Sequence, residues 1–325
     1  MNLLDFGVSF GDRAGVLANG AEWVKLGDVE CRERHKYTDA MLQLTDTTAA
    51  KRDRLLDILR GCGRVAVAFS GGVDSTVVAK AARVALGDAA VAVTAVSPSL
   101  AAGEFEEAER TARLIGIRHR AIHTQEFQDQ QYTANPTNRC YFCKSELYSQ
   151  LERLVPELGV DCIVNGANVD DLGDWRPGMK AADEHQVRSP LVEAGVTKAE
   201  VRELARYWEL PTWDKPAAPC LSSRIAYGLE VTPDRVRQID AAERFLREHG
   251  FRELRVRCPQ ADVARIEVPK TDLPRLGQPD LHSAIEQHFR SLGFKSVTVD
   301  PEGFRSGSMN AVLPVAALRP IPPTV

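Results

Sequence analysis

Seven consecutive residues, Ser70-Gly71-Gly72-Val73-Asp74-Ser75-Thr76, hold the groups in this chain best suited to gripping a phosphate. An apolar run, Val65 to Phe69, precedes them, and a helical pattern, Val77 to Leu86, follows. A strand, a glycine turn and a helix in that order bind anions, because glycines let the backbone come close and the amides at the helix start point outward. The hydroxyls of Ser70, Ser75 and Thr76 add donors, and Asp74 could hold a magnesium ion beside the phosphates. No Gly-Lys-Ser/Thr follows, so the loop is not a Walker A motif.

Thiols are the second chemical resource. The chain has seven cysteines, an odd count with a single Cys-x-x-Cys pair. That pair, Cys140 and Cys143, lies in Asn138 to Lys144, which reads as a loop running into a helix. Arg139, Lys144 and the helix start favour thiolates there. The spacing suits a metal or cluster, a redox pair, half a zinc site or two buried thiols. Cys220 sits in a proline-rich stretch, Leu210 to Arg224, with Lys215 and Arg224 nearby. A thiol on a stiff loop beside cations has a nucleophile's surroundings, although alone it reads more simply as a small apolar residue at a junction. Together, Cys140, Cys143 and Cys220 are three ligands on loops that could converge at one sheet edge, leaving the fourth iron of a 4Fe-4S cluster open. Cys162 falls in a strand pattern and reads as core. Cys31, Cys62 and Cys258 are less telling.

Two charged groups complete the candidates. Asp170, Asp171, Asp174 and Arg176 follow a predicted strand and suit magnesium, ribose or phosphate contacts, or else a polar surface loop. Arg255 and Arg257 alternate along a short strand and so share one face. Two arginines on one sheet face make an anion clamp, or else an exposed charged surface.

The elements that must position these groups alternate. Strands are expected at Val65–Phe69, Ala90–Val96, His119–His123 and Cys162–Asn165. Helices are expected at Asp53–Leu59, Ser75–Leu86, Glu104–Ile115, Lys144–Leu154 and Thr197–Trp208. This pattern predicts an α/β fold, a parallel doubly wound sheet with ligands beyond the carboxyl ends of its strands. Thr197-Lys-Ala-Glu200 is a capping box. After the prolines, Thr232-Pro233 opens a helix reaching about His249. Strands at Glu253–Arg257, Val263–Val268 and Ser296–Val299 and a helix near Leu281–Leu292 make a smaller C-terminal α+β domain. The expected domains are an extension over 1–50, a nucleotide-binding domain over 51–212, a linker over 213–230, the α+β domain over 231–313 and a tail over 314–325.

A net charge of −4 argues against a large nucleic-acid footprint. No run approaches the roughly 20 apolar residues of a membrane span. With no secretory segment at the N-terminus and this cysteine usage, the expected compartment is a reducing cytoplasm.

The order Ser-Gly-Gly-Val-Asp-Ser resembles the PP-loop of the ATP pyrophosphatase superfamily. The wider chain resembles the LarE family of ATP-dependent sulfur transferases, which act in nickel-pincer nucleotide synthesis. The resemblance runs through Phe69–Thr76, Asn138–Lys144, Asn165–Gly178, Arg188–Leu191, Trp213–Arg224, Leu254–Arg257, Ala264–Glu267 and Arg305–Asn310. It implies that ATP adenylates a carboxylate of pyridinium-3,5-biscarboxylic acid mononucleotide, that pyrophosphate leaves into the loop, and that sulfur then replaces the activated oxygen. Both carboxylates are converted in turn. By the same resemblance Ser70, Gly71, Gly72, Asp74, Ser75 and Thr76 hold ATP and its pyrophosphate, with Asp74 on magnesium. Asp171 lies near the metal or substrate, and Arg255 and Arg257 take the substrate phosphate. The family has two sulfur sources, a single sacrificed cysteine or a three-cysteine 4Fe-4S cluster. Cys220 matches the sacrificed position, and Cys140 and Cys143 supply the remaining cluster ligands, so the cluster form is expected. The resemblance also implies a homo-oligomer. Rival expectations are a PP-loop tRNA thiolase, an ammonia-fed amidating synthetase and a nucleotide-binding regulator without turnover.

Overall fold

Val65 and Val67 face one way along the first strand and Ala66 faces the other, and all three are buried. Such a strand must be covered on both sides. In the computed structural model, which describes residues 44–173 and 177–305, that is what surrounds it. Four strands, β1 (Val65–Ala68), β2 (Ala90–Val96), β3 (Arg118–His123) and β4 (Cys162–Val164), form a parallel sheet in the order β3-β2-β1-β4. The longer helices are α1 (Asp46–Gly61), α2 (Val73–Leu86), α3 (Glu104–Ile115), α4 (Arg139–Leu158), α5 (Pro177–Glu184), α6 (Lys198–Tyr207), α7 (Pro233–Glu248) and α8 (Pro279–Ser291). Val65 and Val67 pack with α1, α2, α3 and α6 in one apolar cluster. Ala66, Val91, Val93 and Ile163 pack with α4 and α5 in another. The expected α/β architecture is therefore present, with helices on both faces of a parallel sheet.

The second sheet is smaller and mixed. β5 (Arg255–Arg257) pairs antiparallel with β6 (Val263–Glu267), and β6 pairs parallel with β7 (Ser296–Val299). Its core holds Val256, Ile266, Phe289 and Phe294, with α7 contributing Val236, Ile239, Ala242 and Leu246. The same core takes in Tyr132, Leu221 and Ile225, and Phe142 and Cys143 of α4 pack against it. From Leu44 onward both sheets lie in one compact unit.

Local signals account for the element ends. Thr197 and Glu200 form the expected capping box of α6, and Thr232 caps α7 with Pro233 in its first turn. Three expectations need correction. The first helix begins at Asp46, because Thr45 caps it and Thr48 Oγ1 bonds Glu203 at 2.7 Å, so the expected extension ends before residue 50. Cys140 and Cys143 are not on a loop: α4 starts at Arg139 and carries both in its first turns. Helical rise continues through Pro156 to Leu158, four residues beyond the expected end. The readings of Cys31, of the N-terminal extension to residue 43, of Asp174 and Arg176 and of the tail fall outside the described residues. Among the described residues no helix is long and apolar enough to cross a membrane.

One buried ion pair fastens the second sheet. Arg224 Nε donates to Glu243 Oε1 at 2.9 Å and Nη2 to Oε2 at 3.1 Å, and the two side chains are 3% and 0% exposed. Glu243 also accepts from the Val256 amide at 3.1 Å and from Arg247 at 2.8 Å. Burial alone would raise the Glu243 pKa, but the charge and hydrogen bonds of Arg224 dominate and hold it below the ordinary value. Removing one partner of such a pair strands a buried charge, at a cost of about 3–5 kcal/mol. A carboxylate whose folded pKa is depressed contributes stability above its unfolded pKa and loses it as pH falls through the folded value. Glu243→Gln should therefore lower urea-unfolding stability by several kcal/mol at pH 7, with the deficit shrinking below about pH 4.5. A deficit under about 1 kcal/mol, or one that is flat with pH, would contradict this assignment.

Candidate functional site

The carboxyl edge of the first sheet gathers the candidate residues. Between β1 and α2 the chain turns at Gly71 with φ +71, and Gly72 caps α2 in an extended conformation. A Cβ on Gly71 would lie 3.0 Å from Ala108 Cβ, so glycine is required here for both conformation and room. Ser75 Oγ donates to the Gly72 carbonyl at 3.1 Å and accepts from the Ser70 amide at 3.2 Å. Ser70 Oγ lies 3.1 Å from Ser75 Oγ and 3.4 Å from the Gly72 amide. The two hydroxyls thus line the inside of the turn. Thr76 Oγ1 is buried and has no hydrogen-bond partner among the described residues. The first-turn amides of α2 have no acceptor within the helix, and the helix dipole adds positive potential. The turn is a ready anion cradle.

The loop after β4 closes one side. A Cβ on Gly166 would come within 2.7 Å of the Ser75 amide nitrogen, so the two loops touch backbone to backbone. Beyond it, Asn168 Nδ2 donates to Asp74 Oδ1 at 3.1 Å, and Lys198 Nζ reaches Asp74 Oδ2 at 2.5 Å. The Lys198 amide donates to Asp170 at 2.5 Å, and the Asn168 amide to Asp171 at 3.0 Å. Asp74, Asp170 and Asp171 therefore surround one lysine and one asparagine. Among the described residues no three His, Cys, Asp or Glu side chains gather tightly enough to hold a single metal ion. Magnesium commonly needs only one or two carboxylates when phosphates supply the rest. Asp74 at the mouth of the cradle fits that role chemically, with Lys198 as its present counter-ion.

The thiols occupy the other side. Leu221 donates its amide to the carbonyl of Ser99, just past β2, at 2.9 Å, and β2 is the neighbour of β1. Lys215 anchors the start of the same stretch to α3, with Glu104 at 2.9 Å and Glu107 at 3.0 Å. Between these anchors Cys220 rides on an exposed arch. Arg139, 3% exposed, donates to Asn135 Oδ1 at 2.6 Å and to the Ser222 carbonyl at 2.8 Å, tying the start of α4 to the arch. Tyr132 Oη meets Ser222 Oγ at 2.7 Å from below.

Charge effects show that the three thiols share one locality. Burial would lower the Arg139 pKa, but the fields of Cys220 and Cys140 outweigh it and raise it. Burial raises Cys143, and the charges of Cys220, Glu126 and Cys140 push it further. Lys144 is lowered by burial and raised more strongly by Tyr148 and all three thiols. Two thiols of α4 and one of the arch thus lie near two cations, and as placed here the three sulfurs do not gather into a group that could hold a metal ion.

The arginines of the second sheet differ from each other. Both are buried, Arg255 at 8% and Arg257 at 5% exposure, so neither belongs to an open charged face. Arg257 Nε is committed to Glu267 at 3.0 Å. Arg255 instead donates to backbone carbonyls, Leu254 at 2.6 Å and Ala217 at 2.5 Å, and stacks 5.2 Å from the Phe304 ring. Burial and the charge of Arg224 lower its pKa to about 10. A guanidinium so situated is short of negative charge and suits an anion. Ala217 belongs to the Cys220 arch, which brings this cation to the thiol side of the site.

Sequence reasoning missed Lys198, Asn168, Asn135 and the buried Glu126. The capping box marked the start of α6 but said nothing about the residue next to its cap. Lys198 follows Thr197 at the carboxyl edge of the sheet, and that position was the available signal. Gly166→Ala should cost about 1–3 kcal/mol of stability through overpacking against Ser75. Urea denaturation with an unchanged midpoint would show that the two loops can separate freely.

Comparison with known proteins adds the final observation. No family model matches the chain. It is 47% identical over 264 residues to an uncharacterized protein of Synechocystis sp., covering 81% of this chain and 98% of that one. It is 38% identical over 274 residues to the pyridinium-3,5-bisthiocarboxylic acid mononucleotide synthase of Lactiplantibacillus plantarum, covering 84% of this chain and 98% of that protein. A more distant relative is a subunit of the glutamine-hydrolyzing GMP synthase of Archaeoglobus fulgidus, 26% identical over 209 residues, 61% of this chain and 67% of that one. With the synthase matched along almost its whole length, the chain belongs to the LarE family, that of the pyridinium-3,5-bisthiocarboxylic acid mononucleotide synthases.

Proposed function

We propose that this protein is an ATP-dependent sulfur transferase that converts pyridinium-3,5-biscarboxylic acid mononucleotide to its bisthiocarboxylic acid. The observation that carries the reading is 38% identity to such a synthase along almost its whole length, in a chain whose Ser70 cradle and Cys220 arch lie at one sheet edge.

The cradle holds the phosphates of ATP as a PP-loop, through the amides of α2 and the hydroxyls of Ser70 and Ser75. Gly71 and Gly72 allow the close approach, and Thr76 supplies a buried hydroxyl at the loop's base. A substrate carboxylate oxygen attacks the α-phosphorus, and the bond to the bridging oxygen breaks. Pyrophosphate stays in the cradle, where the developing negative charge meets α2 and Lys198. A carboxylate oxygen is a poor leaving group, and AMP is a good one. Asp74 would hold magnesium against the phosphates, with Asp171 beside it. Arg255 takes the substrate's phosphate, giving up a carbonyl for a charged acceptor, and Arg257 shapes the same wall from its pair with Glu267. A 4Fe-4S cluster held by Cys140, Cys143 and Cys220 would supply sulfide to the activated carboxyl carbon. Arg139 and Lys144 keep negative sulfur stable there, and AMP departs with its electron pair. The reading also carries a reducing compartment and association between copies.

The deciding experiment is intact-protein mass after anaerobic turnover with ATP, magnesium and the biscarboxylate nucleotide. Unchanged polypeptide mass with several thiolated products per chain is expected. A loss of about 34 Da at Cys220, one hydrogen sulfide, would instead make Cys220 itself the sulfur donor. Absence of any thiolated product, with a gel shift of bulk tRNA, would favour a tRNA thiolase. Lys198→Ala should weaken ATP binding about tenfold, roughly 1.4 kcal/mol, while stability moves by no more than about 1 kcal/mol, because the Asp74 pair is partly exposed. Unaltered ATP affinity in calorimetry would remove Lys198 from the site.

A further inference from the structure

Cys62 and Cys162 form a second thiol pair away from the sulfur site. Cys62 closes the C-terminus of α1, and Cys162 opens β4, opposite Val65 in register. The Cys162 amide donates to the Arg64 carbonyl at 3.2 Å, two residues from Cys62, while the Cys62 Sγ lies 3.2 Å from the Ile58 carbonyl and the Cys162 Sγ 3.6 Å from the carbonyl of its neighbour Ile163. Arg188 Nη1 donates to Cys62 Sγ at 2.9 Å, while its other nitrogens engage Glu193. Cys62 itself is buried, but Cys162 and the Arg188 side chain are only half-covered, so a small solute can reach the pair. The Cys162 thiol, and then the Arg188 charge, overcome burial and bring the Cys62 pKa down to about 7. At neutral pH a large fraction is thiolate, next to a neutral thiol. Nothing in the proposed sulfur transfer uses this arrangement.

We propose that Cys62 and Cys162 are a redox-modification site, a dithiol that reacts with peroxides and closes to a disulfide. The Cys62 thiolate attacks one peroxide oxygen, the O–O bond breaks and hydroxide leaves, giving a sulfenic acid at Cys62. The Cys162 sulfur then attacks the Cys62 sulfur. The S–O bond breaks, and water leaves with the Cys162 proton. Two thiols and one hydrogen peroxide thus yield one disulfide and two waters, with sulfur supplying the two electrons. Arg188 connects the site to the rest of the fold. Its amide donates to Ile163 at 3.0 Å and its carbonyl accepts from Asn165 at 2.9 Å, the residue that leads into Gly166. Closing the disulfide removes the thiolate that Arg188 faces.

The test uses the full chain, reduced, treated with one equivalent of hydrogen peroxide at pH 7, alkylated and digested with trypsin. The expected product is the peptide 61–64 joined to 154–180, two hydrogens lighter than the reduced pair. In Cys162→Ser the sulfenic acid has no resolving thiol, and a dimedone adduct at Cys62 is expected. In Arg188→Gln the pH midpoint for alkylation of Cys62 should rise from about 7. Cys62 and Cys162 both remaining alkylatable while other cysteines oxidise would overturn the proposal. Oxidation of Cys62 to a sulfinic acid in the wild-type chain without a bridge would overturn it equally.

Discussion

The arch that carries Cys220 depends on one buried guanidinium. Arg224 turns two nitrogens toward Glu243 and a third back along its own chain, to the carbonyls of Pro219 and Cys220, the latter at 3.1 Å. Its own carbonyl accepts from the Cys258 amide at 2.8 Å, at the end of β5. A single residue therefore fixes the thiol-bearing backbone, by its side chain to α7 and by its carbonyl to the end of β5. A proline-rich segment cannot form its own ladder of hydrogen bonds, so its conformation has to be imposed from outside. Arginine suits that task, because its planar fork offers five donors in a fixed geometry. Full burial makes the arrangement costly to disturb, since every bond that is lost leaves a desolvated charge behind.

The same logic repeats at Arg139. It sits at the start of α4, where a helix dipole disfavours a cation, and it is 3% exposed. What offsets both penalties is its surroundings: Asn135, the Ser222 carbonyl and the fields of the nearby thiols. Asn135 in turn adopts a left-handed conformation, with φ 54, and its amide bonds the carbonyls of Ala226 and Leu229 at 2.8 and 2.9 Å. The helix bearing Cys140 and Cys143 and the arch bearing Cys220 are thus held by one polar cluster, and the apolar core beneath, with Tyr132, Leu221 and Ile225, fills the space between them.

Much of this was legible beforehand. The Ser70 turn, the alternation of strands and helices, the capping box at Thr197 and the proline start of α7 are local patterns, and each appears as expected. Glu104–Ile115 matched to the residue because three glutamates open it and a left-handed Gly116 closes it. What could not be read was whatever depended on distant partners. α4 begins five residues earlier than its apolar periodicity suggests, because its first turn is held by tertiary contacts of Arg139 rather than by a cap. Arg255 and Arg257 look equivalent on a strand of period two, yet Glu267, which lies opposite Arg255 in the register, bonds its diagonal neighbour Arg257. Lys198 became part of the site only when β4 and α6 brought Asp74 within reach.

The net charge of −4 points away from anion binding, and the site runs the other way. Charges on a surface are screened over a Debye length of about 8 Å at physiological ionic strength, while buried ones are screened far less. Acidic residues here are spread over exposed helix faces such as that of α3, where Glu106 and Glu109 face solvent or pair locally. The cations are concentrated inward. Arg139, Arg224, Arg255 and Arg257 are all buried around the arch, and Lys198 stands at the cradle. Glu243 and Glu267 neutralise Arg224 and Arg257. Arg255 has no ion pair among the described residues and is met by two carbonyls and the Phe304 ring, with the charge of Glu243 offsetting part of its own. A multiply anionic nucleotide would meet its attraction there, and the acidic exterior would act on it only weakly, so overall charge is a poor guide to what this protein binds.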